Sequence, residues 1–508
     1  MVKISKAVYL QDPDFYIFNI IIPLVFIISA LVFMPINQVF QFDTDEGIAL
    51  SLANLYSQHI INHPAQTWSD QPPLFTLIIS NFLDIFGDSI SNARILILLF
   101  ATLFIWCFTQ ILRLSVGKAT TIITILLLFV SVNFLRLSVS VMQAIPCLSL
   151  GMLSIYLIIL YTIDLRKVWL ILSAVILALA LQIKMIMIFL IPVIFIYLFN
   201  TFHPITSISK LSKIQNLHLI KSPIVTWLLS LTTAFITVSL LTNSLDFKQT
   251  FLFHLSPNLK DQFTEHNSFF DVIYIYLQNF DVLLLSLLPL QYPRKQHQQI
   301  YQQIYQIPLS WLIIITLVFC KHKPIWYHYI VLISVPLLWL GAYGMQTVFD
   351  QIKFGKLGKF KPSQISKFAV LTILFTFLVI PVKLGVIFWE NHNFLEKSQR
   401  RFTNLERVVT YKNNNQWLFT DVGMYGFYSQ INIPPEITVI SRKRLGSETL
   451  NSEFLIKVLS KYQPEQILID RFPHLADLMK PYLESNYHEI YTDNSTKHYL
   501  RNDVFRKS

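Results

Sequence analysis

The chain has 508 residues, of which 54% are hydrophobic and only 14% charged, whereas soluble domains carry about a quarter charged residues. That balance excludes an ordinary soluble globular protein and fits one that crosses a membrane many times. The net charge of +11 does not mark a nucleic-acid partner, because Lys and Arg gather in short loops between apolar runs and no basic-aromatic platform stands out.

The first apolar run, Tyr16 to Met34, is too long for a signal-peptide core and lacks a small-residue cleavage site, so it predicts a retained helix. Further runs able to span lie near 94–112, 119–134, 140–162, 168–183, 185–200, 222–242, 272–290, 308–320, 326–348 and 368–389. At ~20 residues per span they predict about eleven helices. With Lys3 and Lys6 inside, the loops holding Arg113 and Lys118, Arg166 and Lys167, Lys210 to Lys221, Arg294 and Lys295, and Lys353 to Lys367 also fall inside.

The first long loop, 35–93, contains no Lys or Arg and is predicted outside. It predicts two helices lying along the membrane surface. In the first, Glu46 to Ile60, residues Ile48, Leu52, Leu55, Tyr56 and Ile60 share one face. The second is "PPLFTLIISNFLDIFG", 72–87, opened by its prolines and interrupted by Asn81 and Asp84.

After Trp389 the chain turns polar. The runs "QWLFTDV", "ITVIS", "EQILID", "HEIYTD" and "KHYLRN" read as strands, and "SEFLIKVLSKY" and "LADLMKPYLESNY" as helices. The expected architecture is therefore a polytopic α-helical membrane module, 1–392, followed by a small α/β domain, 393–508. An odd helix count puts that domain outside the plasma membrane, with the N-terminus in the cytoplasm. Cys107, Cys147 and Cys320 lack paired spacing, so neither a disulfide framework nor a metal site is predicted.

The stretch "FDTDEGIALSLANLY", 42–56, concentrates the acids. Asp43 with Glu46 three residues later forms a capping box for the following helix, and acids suit a helix N-terminus. Asp45 is not needed for that box. Cations on the outer side break the positive-inside rule. They are Lys184 in "LQIKMIMIFLIP", Lys321, His322 and Lys323 in "CKHKPIWYH", and Arg94 and Arg136. Snorkelling to headgroups is the plain alternative for each, yet ionisable groups at membrane depth tend to be functional. His254 and Glu265 in "FHLSPNLKDQFTEHN" are acceptor-contact candidates against an ordinary solvated loop.

"DEGIALSLANLYSQHI", then "DQPPLFTLI", then "FGDSISNARIL", in that order after one apolar helix, resembles polyprenyl-phosphate-dependent glycosyltransferases of the GT-C type, such as protein O-mannosyltransferases and lipid A aminoarabinose transferases. The resemblance covers about residues 10 to 200. Two positions depart from it. Gln71 stands before the paired prolines where Lys is frequent, and Gln143 and Ala144 stand where an acid often follows the third helix.

The resemblance implies a lipid-phosphate sugar donor, a glycan, lipid or protein acceptor, and no established need of a metal. A carboxylate must take the acceptor's proton and cations must steady the departing phosphate. Opposite-face attack with one base implies inversion. Asp45 is the expected base, with Glu46 its helper or substitute. Asp70, Gln71, Arg94, Lys184, Lys321, His322 and Lys323 are the expected substrate contacts. A transporter or flippase of lipid-linked saccharide, a polysaccharide ligase or polymerase, and a non-catalytic glycan binder are the rivals. Transport fits less well, because the acids sit in a loop and no broken helices stand out in matching halves.

Overall fold

A backbone in hydrocarbon must satisfy its own N–H and C=O groups, which a helix does within one segment. The computed structural model describes residues 14–62, 67–68, 71–202, 217–244, 267–291, 299–356, 367–412, 416–446 and 449–506. Among them six helices are long and apolar enough to cross a membrane: Ile90–Ser115, Ala144–Asp164, Met185–Phe202, Pro223–Leu241, Tyr327–Ile352 and Lys367–Thr410. Ser268–Gln278 and Phe280–Pro289 qualify only as a pair, bent by 83°. Shorter apolar helices occupy Ile17–Phe33, Leu74–Phe86, Lys118–Phe129, Lys167–Ile183 and Gln303–Phe319. Each apolar run in the sequence thus falls on a helix. By length and composition six of the described helices pass as spans, or seven if the bent pair is one, with the five shorter apolar helices beside them.

Two features of this bundle place groups that matter below. Lys167–Ile183 and the next helix are separated at Lys184, whose backbone is extended (φ −152°, ψ 119°). The break turns the Lys184 side chain out of the helical register. The bent pair is tied to Lys367–Thr410 by an ion pair, Lys383 Nζ to Asp281 Oδ2 at 2.6 Å, the partnering expected of charges beside apolar helices.

The change of composition after Trp389, where the domain boundary was expected, falls inside one helix of 44 residues, Lys367–Thr410. Its first half exposes Leu371, Leu374, Leu378 and Val382. Its second half binds the end of the first helix and the loop after it: Asn391 Nδ2 donates to Phe33 O at 2.6 Å, and Phe40 N donates to Ser398 Oγ at 2.8 Å.

Beyond it stands a four-stranded sheet of β1 (Leu418–Thr420), β2 (Gln466–Ile469), β3 (Tyr487–Thr492) and β4 (Lys497–Arg501), in the order β1-β2-β4-β3. β1 and β2 are parallel and the other pairs antiparallel. Four of the five expected strands form. "ITVIS" does not: it opens on the 3₁₀ turn Pro435–Ile437, and Ile437, Thr438, Val439 and Ile440 are buried without a strand partner. Carbonyls that a ladder would have used go to Arg444, whose Nη1 donates to Glu436 O at 2.6 Å and Val439 O at 3.0 Å.

The acid-loop helix, Thr44–Ser57, joins the two parts. Gly47 abuts Gly423 and Met424: a Cβ on Gly47 would lie 2.6 Å from Met424 N, and one on Gly423 would lie 2.5 Å from Gly47 O. Ser51 Oγ donates to Gly423 O at 2.9 Å. The apolar stripe expected to rest on lipid packs instead against protein. Leu52, Leu55 and Ile61 cluster with Val439, and Ile48, Tyr56, Ile60 and Trp68 pack around them.

Candidate active site

The local sequence builds the acid loop as a shifted capping box. Asp43 is the N-cap and its Oδ1 accepts from Asp45 N at 3.0 Å. Glu46 reaches back one residue farther than the standard box, to Phe42 N at 2.7 Å. The side chains of the three acids then part company.

Glu46 turns inward and is fully buried. Its Oε2 accepts from Arg94 Nη2 at 2.9 Å and its Oε1 from Arg94 Nε at 3.2 Å and Val141 N at 2.9 Å. Arg94, buried as deeply, donates also to Ile36 O and to Val39 O at 2.9 Å. Its guanidinium lies 4.6 Å from the Phe42 ring centre. This pair clamps the start of the loop, helix Ile90–Ser115 and the 139–143 turn together. Every acceptor site of the carboxylate is used within the protein. Neither Glu46, expected to help handle a proton, nor Arg94, expected to contact substrate, lines the cavity described next.

Asp43 and Asp45 face a cavity of about 410 Å³. Gln71, Gln143, Lys184, Lys321, His322 and Lys323 line it too. Residues spread over 280 positions of sequence therefore converge. Lys184 is buried, with Nζ 4.9 Å from the Tyr329 ring centre. The same ring meets His322 at 5.4 Å and His328 at 4.4 Å. The turn carrying Lys321–Lys323 is tied down by Ser268 Oγ, which donates to His322 O at 2.7 Å.

Arg136 does not line the cavity. It sits over Tyr327, 3.2 Å from its ring centre, and pairs with Glu390 at 3.4 Å. Asp70, His254 and Glu265 lie outside the described residues. Among the described residues no group of three or more His, Cys, Asp or Glu could hold a metal ion.

Sequence reasoning missed Arg442 and Arg471, which reach the cavity from the C-terminal part. Arg471 follows β2, and Asp421 follows β1. The two strands are parallel neighbours, so both residues stand at the carboxyl edge of the sheet, where ligands bind in open α/β sheets. Burial pulls the Arg471 guanidinium below its ordinary range, with Asp45, Asp421 and Asp43 opposing the shift. Burial also raises the Asp421 carboxyl, against three backbone N–H donors. The signal that could have found these residues was a charge directly after each of two strand-like runs, "LFT" then Asp421 and "ILID" then Arg471.

Residues 70–227 match the family described as dolichyl-phosphate-mannose-protein mannosyltransferase. The match begins at the Asp-Gln-Pro-Pro motif and includes Arg94 and Lys184. The fold is similar to that of ArnT from Cupriavidus metallidurans bound to undecaprenyl phosphate, with a TM-score of 0.60 at 13% identity over 95% of this chain and 98% of that one. It is also similar to the Archaeoglobus fulgidus oligosaccharyltransferase in the apo form, with a TM-score of 0.52 at 11% identity over 97% of this chain and 75% of that one. No curated protein sequence matches the chain. The likeness is one of fold, and it bears out the resemblance to GT-C glycosyltransferases.

Proposed function

We propose that the chain is an integral membrane glycosyltransferase that moves a sugar from a polyprenyl-phosphate donor to a lipid, glycan or protein acceptor, with inversion, at the extracytoplasmic face of the plasma membrane. The observation that carries this is the convergence of Asp45 with Lys184, Lys321, His322 and Lys323 on one cavity. A lipid phosphate is already a good leaving group. The protein has to add a proton acceptor for the incoming hydroxyl and positive charge for the outgoing phosphate.

Asp45 takes the proton. Asp43 is committed by its side chain to the cap, and Glu46 is sealed against Arg94. Lys184 holds the phosphate, with Lys321 and Lys323 beside it and His322 as a polar contact. Gln71, which lines the cavity just before the paired prolines, contacts substrate there, and Asp70 is proposed as a substrate contact from its place in the sequence motif alone. The fold shared with an ArnT that binds undecaprenyl phosphate supports a lipid-linked donor. The absence of Lys and Arg from 35–93 supports the outer face.

The test is sugar transfer from a defined polyprenyl-phosphate donor by the purified full chain. Asp45→Asn keeps size and polarity and removes the base. Turnover should fall by roughly 10²- to 10⁴-fold with an unchanged thermal midpoint. Lys184→Ala should cost on the order of 10²-fold, and Lys184→Arg much less. Parental turnover in Asp45→Asn would show that another group takes the proton.

A further inference from the structure

We propose that the ring of Tyr327, braced by Arg136, is the platform on which the sugar of the lipid-linked donor rests. The platform presupposes the glycosyltransferase reading, in which Lys184 holds the phosphate and Asp45 takes the acceptor's proton.

Arg136 has no task under that reading alone, because it is an outer-side cation that does not line the cavity. Its guanidinium carbon lies 3.2 Å from the centre of the Tyr327 ring and 5.3 Å from that of Phe394. Its Nη1 pairs with Glu390 Oε2 at 3.4 Å. At that distance from Tyr327 the guanidinium covers one face of the ring. The Tyr327 hydroxyl is engaged as well, donating to Asn133 O at 3.3 Å. Asn133 and Arg136 belong to one short helix, Val132–Leu137, so a single segment grips both the tip and a face of the side chain. Tyr327 itself is half-buried and lines the cavity. With its hydroxyl proton and one face committed, what it offers a ligand is the carbon surface of the ring. Arg136 is thus a positioning residue.

Position selects the ligand. Tyr327 and Tyr329 open and close one 3₁₀ turn, and the Lys184 ammonium lies 4.9 Å from the Tyr329 ring centre. In the other direction the contacts lead to the acids. The Phe394 ring beside Arg136 meets the Phe42 ring at 5.5 Å, and Phe42 directly precedes Asp43. The turn after Val132–Leu137 brings Val141 N to Glu46 Oε1 at 2.9 Å, and Glu46 directly follows Asp45. Tyr327 is therefore tied by contacts to the phosphate cation on one side and to the acid loop on the other.

In a lipid-linked donor the reacting sugar carbon is bonded to a phosphate oxygen, and the acceptor hydroxyl attacks it from the opposite face. The part of the donor that reaches from the phosphate toward the base is the sugar ring. A sugar ring sets its hydroxyls around its edge and presents C–H groups on its faces. Such a face seats on an aromatic ring, the lining that binding pockets combine with a few placed polar groups.

The experiment measures apparent Kd by ligand-dependent thermal stabilisation of the purified full chain in detergent. The probes are undecaprenyl phosphate and undecaprenyl phosphate carrying mannose, glucose or aminoarabinose. The readout is the gain in affinity that a sugar gives over the bare lipid phosphate, and the parent should show a gain with at least one sugar. Tyr327→Leu keeps an apolar side chain without the ring. It should lower the gain by roughly 3- to 10-fold, the worth of a ring contact, and leave the bare lipid phosphate bound as before. Tyr327→Phe should keep most of the gain. Arg136→Gln made together with Glu390→Gln, so that no lone charge remains, should lose part of it, again with the bare lipid phosphate unchanged. A merely structural role would weaken all the probes together. Where Tyr327→Leu fails to fold, the double variant carries the test.

If no sugar improves binding by the parent, the cavity has no sugar platform. A folded Tyr327→Leu protein with the parental gain overturns the platform and leaves the glycosyltransferase reading standing. Equal weakening of bare and sugar-bearing lipid would assign the ring to the lipid or its phosphate. A Tyr327→Phe protein as poor as Tyr327→Leu would assign the contact to the hydroxyl. Either result overturns the proposal. Failure of the parent to bind undecaprenyl phosphate at all would overturn the donor assignment and the platform with it.

Discussion

Glu46→Gln should unfold this protein before it slows it. Each carboxylate oxygen of Glu46 accepts two hydrogen bonds. Oε1 serves Arg94 Nε and Val141 N, and Oε2 serves Arg94 Nη2 and Phe42 N. Glutamine keeps one oxygen and turns an NH2 group toward the other two donors. One backbone N–H loses its acceptor, which costs about 1–3 kcal/mol when buried. Arg94 keeps its charge with no counter-ion at zero side-chain exposure, and breaking one half of a buried pair costs about 3–5 kcal/mol.

The two effects overlap, because the same substitution causes both, so about 3–5 kcal/mol is the estimate. Folded proteins hold only about 5–15 kcal/mol in all. A large drop in thermal midpoint in detergent is expected, with the Phe42 and Val141 segments loosening first. A double variant, Glu46→Leu with Arg94→Met, removes both charges and should recover much of the loss. The assay pairs the midpoint with sugar transfer per folded molecule. A Glu46→Gln protein with the parental midpoint would refute the clamp. If such a protein also lost turnover, Glu46 would be the reacting group in place of Asp45.

Gly47→Ala places a Cβ 2.6 Å from Met424 N; it should cost about 1–3 kcal/mol by overpacking, read as a lower midpoint, and an unchanged midpoint would mean the Gly47–Gly423 crossing is loose. His498, buried in β4, donates from Nε2 to Gln466 Oε1 at 2.9 Å, the Gln466 amide being engaged with Val408 O. Burial, with Arg407 nearby, lowers its pKa from 6.5 to about 4. The unfolded chain therefore binds the extra proton between those values, so this stability is complete above pH 6.5 and lost as pH falls toward 4, to a maximum of about 3 kcal/mol. An acid-side decline in midpoint should flatten in His498→Gln, and an identical decline would assign it elsewhere. Cysteines at Gln58 and at Asn494, both exposed, should react alike with an impermeant thiol reagent in intact cells; reaction at only one would separate the acid loop from the C-terminal part.

How much could be read beforehand depended on local contrast. Lys184 was legible because a lone cation in an apolar run is conspicuous, and Asp43 because a cap is decided within four residues. Arg94 was conspicuous for the same reason as Lys184, but its partner is 48 positions away. No spacing rule tells which cation in an apolar run faces a cavity and which is sealed in a buried ion pair. The helix around Glu46 was legible as amphipathic, yet what covers its apolar stripe was not. Lipid and the Val439 segment present the same kind of surface to a hydrophobic pattern.

Arg442 and Arg471 were illegible for a different reason. In the polar C-terminal part a charged residue is ordinary, so charge alone carries no signal there. What singles out Arg471 is the parallel pairing of β1 with β2, strands 48 positions apart by register. That pairing brings Asp421 under the loop it grips. The same pairing explains why the C-terminal part is more than an appendage. Its sheet presents Arg471 to the cavity, its Gly423 packs on Gly47, and Gly47 directly follows the Glu46 whose clamp sets the course of the acid loop. Displacing the C-terminal part would move Arg471 and loosen the acid-bearing helix together. A variant that weakens the Gly47–Gly423 crossing should therefore lower turnover more than removal of Arg471 alone, although Gly47 touches no substrate. Equal or smaller losses would show that the acid loop keeps its geometry without the contact.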